Sequence, residues 1–356
     1  MSTVVVIGLG DMGERLAVGL AARGRVRRLV LAGRSQTMLD TLAASISSSS
    51  DCLVEPVLLD AAEEERVAAF LSRIRPDLVV TAASLRGPWA LVGRDDAASR
   101  GVAAAGLALR LPYQLPVVLS VMRAAQAGGY SGPIANLSFP DVTGPILRRL
   151  GLAPTLGLGN AGMILLRVRA ALRAGAPDAE LPLVRILGQH SQVYGVMQAR
   201  EPLSPDERCR VYLGDEGRRD DALAYRAPAM VPGVGYNAIT AAATLPVLEA
   251  LLPEAAPLRW STPAPGGLPG GYPVRIANGS VTLDLPPGVT PDETVSFNER
   301  MGRADGVERI DDDGTVHFTT ACREAVAAFA PDLAEPLAVG DLLARASRLD
   351  EVLALA

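Results

Sequence analysis

Two residues in the middle of the chain have the chemistry to act together on one substrate. His190, one of only two histidines, lies in Gly188-Gln189-His190-Ser191, and Arg167 precedes it by 23 residues. Imidazole can hand a proton to a carbonyl near neutral pH because its ordinary pKa is about 6.5, and a guanidinium can bind a carboxylate through two parallel hydrogen bonds. A lone histidine after the apolar stretch 181–187 is also typical of a structural residue at a strand end, so the rest of the sequence has to decide.

A glycine-rich turn near the N-terminus predicts a dinucleotide-binding site. The apolar run at residues 4–7 is typical of a parallel strand covered on both faces, and a helical pattern begins directly after the glycines that follow it. In such a strand, turn and helix, the glycines allow the tight turn, the approach of a pyrophosphate to the helix N-terminus, and close helix packing. We therefore expect cofactor contacts from Gly8, Gly10, Asp11, Met12 and Gly13.

The end of the next predicted strand bears on the choice between NAD and NADP. This strand, residues 28–32, runs into Gly33-Arg34-Ser35. Enzymes that prefer NAD usually carry Asp or Glu here, because a carboxylate binds the ribose 2′-hydroxyl and repels a 2′-phosphate. Arg34 and Ser35 suit that phosphate instead, although an arginine in a turn can also be merely solvated. The sequence therefore favours NADP, with NAD as the alternative.

Composition argues against several classes of protein. The net charge is −5, and acidic and basic residues are interspersed, which is not typical of a nucleic-acid-binding surface. No stretch approaches the ~20 apolar residues of a membrane span, and the N-terminus lacks a signal-peptide pattern, so we expect a cytoplasmic protein. Cys52, Cys209 and Cys322 are far apart and lack metal-ligand spacing. We therefore expect no metal site.

Short segments from residue 78 onward resemble, in their order, the lactate and malate dehydrogenase family. Residues 78–83 resemble the strand that enters the family's mobile loop. Arg110, followed by Gln114, resembles the end of that loop, where the family has an arginine that polarises the substrate carbonyl. Residues 134–143 resemble the family's Ser-Asn-Pro-Val-Asp-x-x-Thr segment.

The likeness continues through the second half of the chain. Residues 157–159 precede Arg167 as a pair of glycines precedes the family's carboxylate-binding arginine. Residues 188–191 resemble the Gly-x-His-Gly motif of its catalytic histidine, and residues 235–239 more faintly resemble its Gly-Tyr-Thr-Ser segment. The shared order of these segments is stronger evidence than any one of them.

Alternating strand and helix patterns, together with the resemblance, predict an α/β fold with two parts. The first is an N-terminal Rossmann domain at residues 1–145, built on a doubly wound parallel sheet. The second, at residues 146–356, is an α+β catalytic domain with antiparallel strands. The resemblance implies that this second domain binds the substrate and takes part in a homodimer or homotetramer.

The resemblance also implies roles for single residues. His190 would donate the proton, Arg167 would bind the substrate carboxylate, and Arg110 or Arg86 would close over the reacting carbon. Further cofactor contacts are expected from Thr81, Ala82 and Asn136, and substrate contacts from Trp89, Asn160 and Asn237.

Three departures from the family pattern affect these expectations. The family pairs its histidine with an aspartate three or four residues before the carboxylate arginine, but Met163 and Ile164 stand there. Because residues 143–177 contain no acid, His190 must find another partner or work without one, and we expect a less basic, mostly neutral histidine. Phe139 replaces an asparagine, and the loop at residues 84–109 is about twice as long as in the family. That loop is either a lid for a larger, more apolar substrate or a surface helix or subunit contact.

These observations lead to one hypothesis and two alternatives. The hypothesis is an NADP(H)-dependent oxidoreductase that reduces a carbonyl or an imine next to a carboxylate. An imine is attractive because an iminium already carries its proton and depends less on a basic histidine. The first alternative is a divergent malate- or lactate-type dehydrogenase. The second is a cofactor-binding protein that has lost turnover and serves as a sensor or partner subunit, as the missing aspartate would suggest.

Overall fold

The computed structural model describes residues 2–87, 89–91 and 93–355 and contains a six-stranded parallel sheet in its N-terminal half. Its strands are β1 (Thr3–Ile7), β2 (Arg28–Gly33), β3 (Leu53–Leu58), β4 (Leu78–Thr81), β5 (Ile134–Asn136) and β6 (Leu156–Gly157). Their order in the sheet is β3-β2-β1-β4-β5-β6, and every neighbouring pair is parallel. The strand order reverses between β1 and β4, which is where such sheets open a crevice for ligands.

Helices cover both faces of this sheet. They are α1 (Asp11–Ala22), α2 (Gln36–Ser49), α3 (Glu64–Ile74), α5 (Leu111–Ala127) and α6 (Pro140–Arg149), whereas α4 (Ala97–Ala105) belongs to the loop after β4. In β1, Val4 and Val6 belong to one hydrophobic cluster, while Val5 and Ile7 belong to the cluster on the other face. Successive side chains of a strand point to opposite faces, so a strand covered on both sides has no polar alternation.

The second half of the chain is α+β, as predicted. Its helices are α7 (Asn160–Gly175), α8 (His190–Met197), α9 (Tyr236–Ala250), α10 (Pro291–Gly302), α11 (Thr320–Ala327) and α12 (Leu342–Val352). Its strands are β7 (Val184–Leu187), β8 (Arg210–Leu213), β9 (Arg218–Arg219), β10 (Leu258–Pro263), β11 (Gly271–Ala277), β12 (Ser280–Leu283), β13 (Val307–Ile310) and β14 (Val316–Phe318). They form antiparallel sheets in the orders β7-β8-β9 and β10-β11-β12 and a two-stranded pair, β13-β14.

The division predicted at residue 145 stays a prediction, and two contacts of the structure bear on it. Helix α6 spans residue 145, and β6 completes the first sheet from beyond it. The C-terminal helix α12 packs against α5 and belongs to the hydrophobic cluster on one face of that sheet. The end of the chain therefore returns to the N-terminal half.

The long loop after β4 contains a helix that packs away from the sheet. Helix α4 lies against α11, and a Cβ atom at Gly101 would stand 2.3 Å from the Phe329 ring. This contact favours the surface-helix interpretation for α4 itself. Within the described residues, no single helix is long and apolar enough to cross a membrane, although α4 and residues 107–127, bent by 111°, meet that criterion together by length and composition.

Truncation of a buried side chain on α12 tests its packing on α5. Leu349 is 0% exposed, whereas Leu343 on the same helix is 63% exposed. We expect Leu349→Ala to lower the free energy of unfolding by about 2–5 kcal/mol because it leaves a cavity. Leu343→Ala should change it by less than about 0.5 kcal/mol. Guanidinium chloride unfolding measures both, and equal effects would contradict the packing.

Candidate active site

Two adjoining cavities lie at the carboxyl ends of the parallel strands. The larger, about 530 Å³, is lined by the glycine turn after β1 and by residues that follow β2, β3 and β4. The smaller, about 230 Å³, contains His190. Their common wall is formed by Met12, Ala82, Ser84, Trp89 and Asn237. A molecule in the larger cleft would therefore have one end next to His190.

The glycine turn has the shape that a dinucleotide requires. Gly8 has φ +93°, and a Cβ atom there would lie 2.6 Å from the Cβ of Ala83. A Cβ at Gly13 would lie 1.8 Å from the Gly8 carbonyl oxygen, so these two glycines allow close packing. A Cβ at Gly10 would meet nothing within 4 Å. Gly10 caps the N-terminus of α1, and this open space beside free backbone N–H groups fits a pyrophosphate.

Most of the predicted residues of the turn line the cleft, and one serves helix packing instead. Gly8, Gly10, Asp11 and Met12 line the larger cleft, whereas Gly13 holds the helix against the turn. Arg34 and Ser35 also line this cleft, and both are exposed. The Ser35 hydroxyl accepts a hydrogen bond from the Met38 backbone at 3.4 Å and caps α2.

Two predicted substrate residues, Trp89 and Asn237, stand at the junction of the cavities. The Asn237 amide nitrogen donates to Asp11 at 2.6 Å, and its amide oxygen accepts from the Trp89 indole at 3.2 Å. The Trp89 ring meets Tyr236 edge to face, with 6.2 Å between centroids. These contacts tie α9 to the glycine turn and to the loop after β4.

His190 has an acidic partner from a distant part of the chain. Its Nδ1 lies 3.0 Å from both carboxylate oxygens of Asp305, a residue that is only 5% exposed. Asp305 ends the 3₁₀ turn Arg303–Asp305, which is 115 residues downstream of His190. The sequence left open whether His190 finds another acidic partner, and nothing local to His190 signals Asp305.

The same partner overturns the prediction of a less basic histidine. Burial by itself lowers the pKa of His190, but the charge and hydrogen bond of Asp305 and the charge of Asp141 outweigh it. The net result is a raised pKa, despite an opposing effect of Arg110. His190 therefore holds a proton more readily than an ordinary histidine.

A second carboxylate, that of Asp141, lies beneath His190 and is 1% exposed. One of its oxygens accepts from the His190 backbone N–H at 2.9 Å, and the other accepts from the Asn160 side-chain amide. Pro140, Asn160 and His190 are the first residues of α6, α7 and α8. The partial positive ends of three helices therefore converge near one carboxylate. Burial raises the pKa of Asp141 to about 6.

Phe139, noted in the sequence as a departure from the family pattern, forms another side of the His190 environment. Its backbone is left-handed, with φ 43°, where the chain enters α6. Its ring lies 5.0 Å from the imidazole centroid at an angle of 72°. An apolar edge-on contact thus holds the imidazole plane, in the place where the family carries an amide.

Two of the three predicted arginines are directed away from the small cavity. Arg167 is 6% exposed, and its guanidinium donates to the carbonyl oxygens of Ala227, at 2.9 Å, and Pro228. Arg86 forms a bidentate ion pair with Asp350 on α12, at 3.1 and 3.0 Å. Neither arginine lines the small cavity, so the roles of Arg167 in carboxylate binding and of Arg86 in closing over the substrate stay predictions.

Arg110 is the predicted arginine that the structure brings to the His190 site. The loop that ends at Arg110 passes so close to Asp305 that a Cβ at Gly106 would lie 2.6 Å from the Asp305 carbonyl oxygen. Burial lowers the pKa of Arg110, and the charge of Asp305 opposes this shift. The Arg110 charge in turn lowers the pKa of His190.

Of the three residues at the ends of β4 and β5 that were predicted to touch the cofactor, only Ala82 lines the cleft. Thr81 and Asn136 are 0% exposed. The Thr81 hydroxyl donates to the Asn136 amide oxygen at 3.2 Å, and the Asn136 amide nitrogen donates to Thr143 at 2.9 Å. The prediction for Thr81 and Asn136 is contradicted because these buried polar groups satisfy one another.

The remaining predicted substrate residue, Asn160, lines the small cavity with His190. The long loop contributes Ser84, Trp89 and Leu107 to the described lining of this cavity. Ser138 and Gln114 also line it, and sequence reasoning did not single them out as substrate residues. Their mutual hydrogen bond, at 3.0 Å, gives them a structural role in the wall.

Comparison with solved structures confirms the predicted fold resemblance. The apo malate dehydrogenase from Picrophilus torridus superposes with a TM-score of 0.53 at 15% identity, covering 85% of this chain and 96% of that one. A lactate dehydrogenase from a Medee basin deep-sea metagenome library gives a TM-score of 0.50 at 15% identity, with coverages of 85% and 96%. The ligand-unbound minor L-lactate dehydrogenase from Enterococcus mundtii gives 0.50 at 16% identity, with coverages of 83% and 93%.

Sequence comparisons add no family to this likeness. No family model matches the chain, and no curated protein matches its sequence. The architecture is therefore that of the lactate and malate dehydrogenases, and the chemistry has to be argued from the residues of the site.

Replacement of Asp305 tests the origin of the His190 pKa. In Asp305→Asn one negative charge is lost while burial and the charge of Asp141 remain, so we expect the pKa of His190 to fall. NMR titration of the two histidines measures this change. His317 is bonded to Asp311 at 2.6 Å instead, so its signals serve as the internal control. An unchanged His190 pKa would contradict the pairing.

Proposed function

We propose that this chain is an NADP(H)-dependent oxidoreductase that reduces a carbonyl group. The observation that carries the proposal is the His190–Asp305 pair in a cavity that adjoins a cleft with dinucleotide-type glycines. A proton donor next to the end of a nicotinamide cofactor is what carbonyl reduction requires.

The residues of the site divide the work as follows. A bound nicotinamide cofactor supplies a hydride. His190 donates the proton from Nε2, because Nδ1 is held by Asp305, and the Asp305 charge stabilises the protonated imidazole. The positive charge of Arg110 lies near enough to affect His190, and it favours negative charge developing on the carbonyl oxygen.

The Asp305 contact changes the weight of the alternatives drawn from the sequence. An imine substrate was attractive for a histidine without an acidic partner, and loss of turnover was suggested by the same missing aspartate. Both arguments weaken because Asp305 supplies the negative charge. A malate- or lactate-type activity would have to bind a substrate carboxylate without Arg167, whose guanidinium is directed to the backbone.

The cofactor preference rests on Arg34. It is exposed at the end of the cleft that follows β2, and Gly33 and Ser35 flank it, so no carboxylate stands where NAD enzymes usually carry one. NAD stays the alternative cofactor.

Removal of the Arg34 side chain tests this preference. We expect Arg34→Ala to raise the Kd for NADPH by about tenfold or more, equal to ~1.4 kcal/mol, and to leave the Kd for NADH nearly unchanged. Arg27→Ala is the matched control, because Arg27 is exposed and does not line the cleft. Fluorescence titration measures both constants, and equal losses for the two cofactors would refute the 2′-phosphate contact.

Replacement of His190 tests its role as the acid. NADPH oxidation should be followed with a panel of ketones and 2-oxo acids, where His190→Gln should lower kcat by roughly 10²–10⁴-fold while NADPH still binds. His317→Gln, remote from both cavities, is the control. Unchanged turnover in His190→Gln would refute the role of His190 as the proton donor but not the proposed function. Tight NADPH binding to the wild-type protein without oxidation across the panel would sink the proposed function.

A further inference from the structure

Most polar side chains that line the small cavity have their donors engaged within the protein. The Gln114 amide nitrogen donates to the Arg86 carbonyl at 3.0 Å, and the Thr240 hydroxyl donates to the Tyr236 carbonyl at 2.8 Å. The Asn237 amide is engaged at both ends, as described above. These groups shape the wall and have little left to offer a substrate.

Two atoms of the lining differ from the rest. Among the described residues, neither Nε2 of His190 nor Oδ1 of Asn160 has a hydrogen-bond partner, although the other polar end of each side chain has one. Both residues line the cavity, and Asp141 binds the Asn160 amide nitrogen with one oxygen and the His190 backbone N–H with the other. A substrate in this cavity therefore meets a proton donor and an acceptor.

Asp141 determines which end of the Asn160 amide faces the cavity. An ionised carboxylate only accepts hydrogen bonds, so it holds the amide nitrogen and leaves the amide oxygen for the cavity. Asn160 thus presents an acceptor, which suits a hydroxyl or another donor and repels a carboxylate.

The charges around the cavity also disfavour a substrate carboxylate. The place near the three converging helix N-termini, where an anion would be most stable, is taken by the protein's own Asp141. Asp305 adds a second carboxylate behind His190. The described lining includes no arginine, and the sequence has no lysine. The positive charges nearby are those of His190, which is paired with Asp305, and of Arg110, which does not line the described cavity. A substrate carboxylate beside Asn160 would therefore meet an acceptor and the negative charge of Asp141.

We propose that Asn160 is a specificity-determining residue that selects an α-hydroxy carbonyl substrate over a 2-oxo acid. The substrate hydroxyl donates to Asn160 Oδ1, and the carbonyl oxygen takes its proton from His190 Nε2. Hydride addition to the carbonyl carbon then yields a vicinal diol, and the hydroxyl that contacts Asn160 is unchanged. This inference rests on the proposed function, which supplies the hydride and the proton.

A matched set of three ligands tests the inference. The compounds 1-hydroxy-4-phenylbutan-2-one, 1-methoxy-4-phenylbutan-2-one and 2-oxo-4-phenylbutanoate share a ketone and a phenyl group, and they differ in offering a donor, no donor or a carboxylate. The phenyl group suits the apolar wall of Trp89, Phe139 and Met163. Calorimetry at pH 8, where Asp141 is ionised, gives Kd values, and NADPH oxidation gives kcat/KM. We expect the hydroxyketone to bind about tenfold more tightly than either other ligand.

Variants separate Asn160 from a general effect of the cavity. Asn160→Leu keeps the size of the side chain and removes both the acceptor and the amide that binds Asp141. The advantage of the hydroxyketone over the methoxyketone should then fall to about onefold. Asp141→Asn frees the Asn160 amide to turn, so the affinity for the 2-oxo acid should rise relative to the hydroxyketone. Thr240→Val is the matched control and should change all three affinities by the same factor.

The wild-type ranking decides the inference even if a variant fails to fold. Equal or tighter binding of the 2-oxo acid would overturn it, as would Asn160→Leu weakening all three ligands equally. The expected ranking in binding without NADPH oxidation would leave the cavity assignment standing and refute the proposed function. Faster reduction of the 2-oxo acid than of the hydroxyketone would refute the inference about Asn160 and leave the proposed function standing.

Discussion

The buried carboxylate of Asp141 is the contact on which the geometry of the site depends. It accepts from the first residue of α8 and from the first side chain of α7, while it belongs to the first turn of α6 itself. A carboxylate that is 1% exposed is costly unless hydrogen bonds and positive potential compensate for it. The N-termini of three helices provide that positive potential, and their shared contact with Asp141 fixes their relative positions. His190 and Asn160 owe their proximity to this arrangement.

Asp305 brings a second segment of the fold, the turn after α10, to the His190 site. It closes a 3₁₀ turn after α10, and the close approach of Gly106 brings the end of the long loop, with Arg110, beside it. The histidine thus takes its acidic partner from a segment 115 residues away. A raised histidine pKa and a nearby guanidinium suit proton donation to a carbonyl that gains negative charge.

Predictions that depend on residues close together in the sequence were more accurate than predictions that depend on contacts between distant segments. The glycine turn was predictable because a strand, three glycines and a helix lie within a few residues, and Gly8, Gly10 and Gly13 have the expected packing and open space. The contacts of Arg167 were not predictable, because its position after two glycines does not reveal whether its guanidinium faces a cavity or two backbone carbonyls. Thr81 and Asn136 failed likewise, since polar residues at strand ends can satisfy each other instead of a ligand.

The sequence by itself determined the fold class and the glycine turn, because strand and helix periodicity and local turn chemistry are properties of contiguous residues. Tertiary structure alone decided which acid pairs with His190, which arginine comes near it, and which acid binds the Asn160 amide. The physical reason is that these outcomes depend on charges and hydrogen bonds between segments far apart in the chain. Packing of the whole fold brings those segments together, and no local pattern encodes it.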